Sequence, residues 1–268
     1  MFNATMTIIK KIFNRFGAAS SKAKTDSFVF PTEQEFIHLF AHELERRRST
    51  DLTKAPKSRL VSELVWIQRC DHMLQGYLNH IAVEIYQGRH PKHWLWKSHK
   101  QWFLDRVHPG ERILDGCGAS AYLLWMSEKG CIVTGCDINP ERIEQARSLM
   151  QHPNLSFEVR DVMQQIPVRP FDTVICSHVI AHLDDPVPML SALRKNASRL
   201  LVAVPPEDNR WQKLMFRDCG LPWKDDEDHR REYSPPLLRQ HLEDAGWTLT
   251  ESHAGIDIKA AAVVRSEH

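Results

Sequence analysis

Histidines and carboxylates that stand at the ends of apolar runs carry the chemistry this chain could do. His178 and His182 follow the run FDTVICS, and His229 and Glu232 lie together in a polar stretch further on. Imidazole titrates near neutrality, so any of these rings could take a proton from a hydroxyl or position an acceptor. His182, His229 and Glu232 are therefore the candidate catalytic groups. Asp115, Asp137 and Asp161 each close another short apolar run, and Asp115 is followed by Gly116 and Gly118. A loop poor in side chains lets a ligand lie on the backbone, and the acid after the second run can accept both hydroxyls of a ribose. The chemistry that this pattern suggests is nucleotide binding beside a proton acceptor.

The elements that must position these groups follow from periodicity. From Pro109 onward, strands expected at Ile113–Asp115, Ile132–Cys136, Leu155–Val159, Thr173–Cys176 and Leu200–Val204 alternate with helices over Tyr122–Lys129, from Asn139 with Pro140 at its first turn, and over Pro186–Arg194. That alternation specifies a parallel sheet covered by helices on both faces, in which ligands bind beyond the carboxyl ends of the strands. Pro205 and Pro206 open an insertion, Ser234 with Pro235 starts the last helix, and the runs Trp247–Glu251 and Ile258–Val264 form an antiparallel hairpin at the sheet edge.

Upstream of the sheet, Thr32 and Glu35 make a capping box for a first helix that ends in Arg46, Arg47 and Arg48. A second helix runs from near Ser58 towards Tyr86, with Leu60, Leu64, Ile67, Leu74, Leu78, Ile81 and Ile85 at helical spacing. Residues 2–16 are amphipathic and basic, a pattern suited to peripheral contact with an anionic membrane surface, and Gly17–Thr25 reads as a linker. Between the helices and the sheet, GRHPKHWLWKSHKQWF interleaves His90, His93 and His99 with Trp94, Trp96 and Trp102. Such a mixture suits a polar ligand with flat apolar faces. The organisation expected is a tail and linker (1–30), a helical cap (31–88) and a main domain (89–268) with a substrate-side insertion at 205–234.

Composition excludes several classes. Thirty-five basic and thirty-four acidic residues leave a net charge of +1, so no global field draws the chain onto nucleic acid. Six cysteines without paired C-x-x-C spacing suit buried thiols in a reducing cytoplasm. Neither a membrane-spanning stretch nor a secretory signal is expected. His178, His229 and Glu232 are suitable metal ligands, but their separated positions give no ligand-spacing signature and no metal is assigned.

Taken together, ILDGCG, TGCDINPERIEQAR, LSFEVRDV and FDTVICSHVIAHLDDP, spanning about Arg112 to Val204, resemble the class I S-adenosylmethionine-dependent methyltransferases. The resemblance implies a Rossmann-like doubly wound α/β fold, mostly parallel and seven-stranded with an antiparallel edge hairpin, carrying an N-terminal helical extension. It implies that Asp115, Gly116 and Gly118 surround the methionine and ribose part of S-adenosylmethionine, that Asp137 holds the ribose hydroxyls and that Asp161 and Val162 flank the adenine. Ile138 and Ser177 complete the cofactor set. The loop departs from the family pattern in that Asp115 abuts Gly116 and Ser120 stands where a glycine is usual.

A more detailed resemblance, to methyltransferases found with bacterial surface-glycan biosynthesis, rests on the His90–His93 stretch and on VPPEDNRW with GLPWKDDEDHRREYSPPLL. It implies a sugar-like acceptor bound by His90, His93, Trp94, His178, Asp226 and Tyr233. The insertion is then one wall of the acceptor site, opposite the Trp94–Trp102 segment. The activity expected is methyl transfer to a hydroxyl of a sugar or other small polar metabolite. Two other readings stand beside it: a non-catalytic module acting through the helical extension, and an RNA methyltransferase using the Arg46–Arg48 cluster.

Overall fold

The computed structural model describes residues 33–86, 92–116, 120, 122–162 and 170–265, with backbone alone for 33–37, 39, 83 and 92–97. The tail and linker of 1–30, Thr32, His90 and Gly118 lie outside the described residues, as do the side chains of His93, Trp94 and Trp96. Contacts divide the chain into two units, one up to Leu60 and one from Val61 onward. In the first, α1 (Glu33–Arg48) ends with Arg46 and Arg47 both paired to Glu43, at 2.7 and 2.6 Å. Two of the arginines suggested for RNA are thus engaged by a carboxylate of their own helix. The first turn of α2 (Lys57–Ile85) follows, with Pro56 accepting from the amides of Arg59 and Leu60.

The second unit holds the rest of α2, whose Ile67, Leu74, Leu78 and Ile85 are exposed. The helical spacing is real, but its apolar stripe is not buried among the described residues. No helix among them is long and apolar enough to cross a membrane. After α3 (Lys92–Leu104) the alternating part begins: β1 (Arg112–Asp115), α4 (Tyr122–Glu128), β2 (Ile132–Asp137), α5 (Pro140–Leu149), β3 (Leu155–Val159), β4 (Phe171–Ser177), a 3-10 turn (Ile180–His182), α6 (Val187–Leu193) and β5 (Ala197–Val204). The insertion contains a helix the sequence did not suggest, α7 (Trp211–Asp218), before α8 (Pro235–Asp244), β6 (Trp247–Ala254) and β7 (Ile258–Val264).

The seven strands lie in the order β3-β2-β1-β4-β5-β7-β6. β1 to β5 pair in parallel, while β7 runs antiparallel to both β5 and β6. Strand side chains alternate between faces, so each strand feeds two cores. Leu114, Val174, Leu200 and Val202 pack with Leu190 and Leu193 of α6 and Leu238 and Leu242 of α8. Ile113, Val133, Ile175 and Leu201 pack on the other side with Phe103, Leu123, Met126 and Ile143. Runs apolar at every position are what a sheet covered on both faces requires. Trp247 locks the hairpin to the first core by donating its indole N–H to the Leu190 carbonyl, at 2.8 Å. Cys70, Cys131, Cys136 and Cys176 are buried thiols, and burial pushes the Cys136 thiol up to about 12, in keeping with inert core thiols.

Candidate active site

The carboxyl end of the parallel strands collects the polar residues. At the tip of β1, Asp115 is fully buried and accepts a 2.5 Å hydrogen bond from the Tyr122 hydroxyl of α4. Gly116 follows, its amide donating to the Ile175 carbonyl at 3.1 Å. A Cβ placed on Gly116 would meet Val162 at 3.4 Å, an ordinary contact, so internal packing does not demand a glycine here. At the tip of β2, Asp137 is 7% exposed, and its Oδ1 accepts the Asn139 amide at 2.9 Å. Asn139 in turn caps α5, accepting from the amides of Glu141 and Arg142. This pins the β2–α5 connection. Oδ2 of Asp137 has only Arg142 near it, at 3.7 Å, and takes no hydrogen bond among the described residues. Beside it Ile138 presents its side chain to solvent, 71% exposed. Asp161, partly exposed, and the buried Val162 lie just beyond the tip of β3.

Past the tip of β4 the backbone turns sharply. His178 has φ of 59°, the left-handed region that costs a residue with a Cβ roughly 1–3 kcal/mol. Its amide is held by the Ala203 carbonyl at 2.8 Å, and its Nε2 lies 3.2 Å from Asp257 Oδ1. Asp257 sits in the turn between β6 and β7 and is buried. Its other oxygen is 2.7 Å from His99 Nδ1 of α3, an ion-pair distance although the N–H is not aligned with it. His99 Nε2 is 3.3 Å from the Ser177 hydroxyl. Burial raises the Asp257 carboxyl, but the two histidines outweigh it and hold the group below the ordinary carboxylate range. Burial lowers His99, with Asp257 opposing it, so the ring is neutral near pH 7. A neutral His99 that carries its proton on Nδ1, the nitrogen facing Asp257, keeps Nε2 as an acceptor for Ser177. His178, protonated on the Nε2 that faces the same carboxylate at ion-pair distance without an aligned N–H, has Nδ1 as its basic nitrogen. A recess of about 260 Å³ opens beside this cluster, bounded by His99, His253, Ile256, Asp257 and Lys259.

The remaining candidates gather around the 3-10 turn. The insertion docks there through the amides of Arg230 and Arg231, which share the Ala181 carbonyl at 2.8 and 3.2 Å. This brings His229 against His182, ring centroids 4.8 Å apart, with Asp226 beside them. Glu232 and Tyr233 are placed otherwise than the sequence suggested. Glu232 is 3% exposed, with Oε2 at 2.6 Å from Lys213 Nζ and Oε1 accepting the Asp225 amide at 2.5 Å. Both oxygens are engaged inside the insertion, which makes Glu232 an anchor of that fold and not a group facing a substrate. Tyr233 is fully buried, its hydroxyl 3.4 Å from the Ile180 carbonyl, so it belongs to the core. Trp102 is buried at the edge of the second core under the Arg106 guanidinium, 4.1 Å from the ring. The set His178, His229 and Glu232 does not form among the described residues. Two other groups do: His99, His178 and Asp257, and His182, Asp226 and His229.

Residues 115–200 match the model of a methyltransferase domain. Over 89 residues it is 34% identical to the ubiquinone biosynthesis O-methyltransferase of Xanthomonas campestris pv. campestris (strain B100), covering 31% of this chain and 37% of that protein. The protein of the same name from Psychrobacter arcticus is 28% identical over 155 residues, which cover 52% of this chain and 60% of that one. The chain therefore spans less than two thirds of either relative. Magnesium protoporphyrin IX methyltransferase from Synechocystis PCC 6803, with bound SAH, superposes with a TM-score of 0.53 and 20% identity over 73% of this chain and all of its own. A SAM dependent methyltransferase from Aquifex aeolicus gives 0.50 and 19% over 62% of this chain and 89% of that one. These two likenesses show the fold alone. The surface-glycan resemblance has no counterpart among these proteins.

S-adenosylmethionine is the cofactor of this domain family, and the residues present fit it. Asp137 Oδ2 is a nearly buried acceptor at the tip of β2 that takes no hydrogen bond among the described residues, as ribose hydroxyls require. Gly116 offers bare backbone next to the apolar Val162. Sequence reasoning missed Asp257 and Lys213 and gave His99 no role of its own. Asp257 follows Gly255 in the turn between two strands, and that turn, at the carboxyl end of β4, was the signal available for it.

Proposed function

We propose that the chain transfers a methyl group from S-adenosylmethionine to a hydroxyl oxygen of a small-molecule acceptor. The observation that supports this is the His178–Asp257 pair beyond the tip of β4, in a domain of the methyltransferase fold. When bound, the cofactor supplies an electrophilic methyl carbon whose displacement leaves a neutral thioether.

The chain's own residues do the rest. Asp137 and the backbone at Gly116 hold the donor, with Ile138, Asp161 and Val162 around its base and sugar. His178 Nδ1 takes the hydroxyl proton as the oxygen attacks, and the Asp257 carboxylate stabilises the imidazolium that results. His99, kept neutral by burial, braces the other carboxylate oxygen and so fixes the ring that does the work. Residues 89–268 form the catalytic domain in this reading, with 205–234 on the acceptor side, and 31–88 are a helical extension.

Two acceptor classes follow. The Trp/His segment and the polar recess favour a sugar-like polyol, whereas the relatives favour a hydroxylated intermediate of ubiquinone biosynthesis. The test incubates the full chain with S-adenosylmethionine and members of both classes and measures S-adenosylhomocysteine release. Turnover is expected with hydroxyl acceptors only, falling about a hundredfold or more in His178→Ala with cofactor affinity retained. Absence of cofactor binding at millimolar concentration, or unimpaired turnover by the variant, refutes the proposal.

A further inference from the structure

His182, His229 and Asp226 take no part in the reading above, yet they are gathered from two segments of the chain. Each offers a ligand atom, and the three atoms lie within 4.8 Å of one another. The segments are tied where the Arg230 and Arg231 amides bind the Ala181 carbonyl, so the grouping does not depend on long side chains happening to meet.

The buried member is fixed from behind. His229 Nδ1 lies 3.5 Å from Glu232 Oε1, and Glu232 is itself held by Lys213 Nζ at 2.6 Å and the Asp225 amide at 2.5 Å. A carboxylate at one ring nitrogen keeps the proton there and turns the lone pair of the other outward, which is the way metal-binding histidines are oriented. Asp226 is steadied in the same manner: one carboxylate oxygen accepts the Asp228 amide at 2.9 Å, and the second is left to a ligand.

We infer that His182, His229 and Asp226 form a binding site for a divalent transition-metal ion. Two imidazoles and one carboxylate are the donor set of zinc, cobalt, nickel or ferrous iron, not of calcium or magnesium, which take oxygen. A tetrahedral ion about 2.1 Å from each ligand needs the ligand atoms about 3.4 Å apart. His182 and Asp226 are exposed, so rotation of their side chains closes the set around the fixed ring of His229. Three protein ligands leave a coordination position open, the arrangement of reactive metal sites and not of purely structural ones. That position faces solvent beyond β4, where water or an oxygen of the acceptor can fill it.

The test is a titration of the untagged, chelator-treated full chain with Co2+, followed by visible d–d absorption. One saturable equivalent is expected, with the intensity of a four- or five-coordinate ion. His182→Ala and Asp226→Asn, both at exposed positions, should each remove the bands and weaken binding by about a hundredfold or more. His178→Ala should leave them unchanged, which separates this site from the His99, His178 and Asp257 group. Absence of a saturable equivalent, wild-type binding by the first two variants, or loss in His178→Ala overturns the inference. Cofactor binding and turnover do not enter the readout.

Discussion

Replacing Asp257 by asparagine exchanges one carboxylate oxygen for an NH2 group and, through it, changes the chemistry of two rings. The carboxylate lies 3.2 Å from His178 Nε2 and 2.7 Å from His99 Nδ1. An amide presents N–H to one of these rings, whose facing nitrogen must then give up its proton. If that ring is His178, the proton moves to Nδ1, the nitrogen that must receive the acceptor's proton, and the base is disabled. In either orientation the imidazolium loses its counter-charge.

A hydrogen bond to a charged group contributes about 1.5–3 kcal/mol, and a positioned general base about 10²–10⁴ in rate. Asp257→Asn should therefore lower kcat by about 10²–10⁴ while KM and cofactor affinity stay within about threefold. The fold should survive, because a loss of about 3 kcal/mol is smaller than the stability of a typical domain. The assay pairs steady-state kinetics with 15N spectra of both rings, in which the proton should leave the nitrogen that faces the amide N–H, from Nε2 to Nδ1 if that ring is His178. A folded variant with kcat within threefold of wild type would refute the assignment of His178 as base.

Asp137→Ala removes the acceptor offered to the ribose hydroxyls and should weaken S-adenosylmethionine binding about tenfold or more in calorimetry; unchanged affinity in a folded variant would place the ribose elsewhere. Lys213→Met strands the buried Glu232 without its counter-ion and should cost about 3–5 kcal/mol in urea unfolding. A cost below about 1 kcal/mol would mean that the pair does not anchor the insertion. Because burial holds folded His99 below its ordinary value of 6.5, the unfolded chain binds the proton first, and stability should fall as pH drops below about 6.5. The depressed Asp257 carboxyl adds loss in the same direction at far lower pH, as pH falls through its folded value. His99→Gln should flatten the slope just below pH 6.5, and an unchanged slope there would assign it to another group.

The sheet could be read from the chain because burial on both faces leaves a local record. Ile113, Leu114, Val174 and Ile175 are apolar without alternation, which only a covered strand needs, and turn residues fall between the runs. The strand-end acids were legible for a related reason: Asp115 and Asp137 stand where the apolar runs of β1 and β2 stop. Helix α7 was hidden because the polar sequence around it resembles a long loop. Its one informative residue, Lys213, is 1% exposed, while lysine in a sequence reads as surface.

The acceptor side obeys a different logic. His178 and Asp257 are brought together by β7 pairing with β5 and β5 with β4, an adjacency that no spacing along the chain encodes. The left-handed backbone at His178 is likewise invisible in a sequence, since nothing there marks a histidine as strained. Glu232 was misassigned for the converse reason. A carboxylate three residues from a histidine suggests a reactive pair, and whether it serves catalysis or anchors a fold depends on what lies behind it. Here Lys213 lies behind it, contributed by a helix that the sequence did not disclose. The anchor still has a chemical consequence, because a carboxylate saturated on its inner side favours the His229 proton on Nδ1 and leaves Nε2 as the donor nitrogen of the ring beside His182 and Asp226. Structural burial of Glu232 and an outward-facing donor set are thus two results of the same contacts, and a substitution that loosens the first should disorder the second.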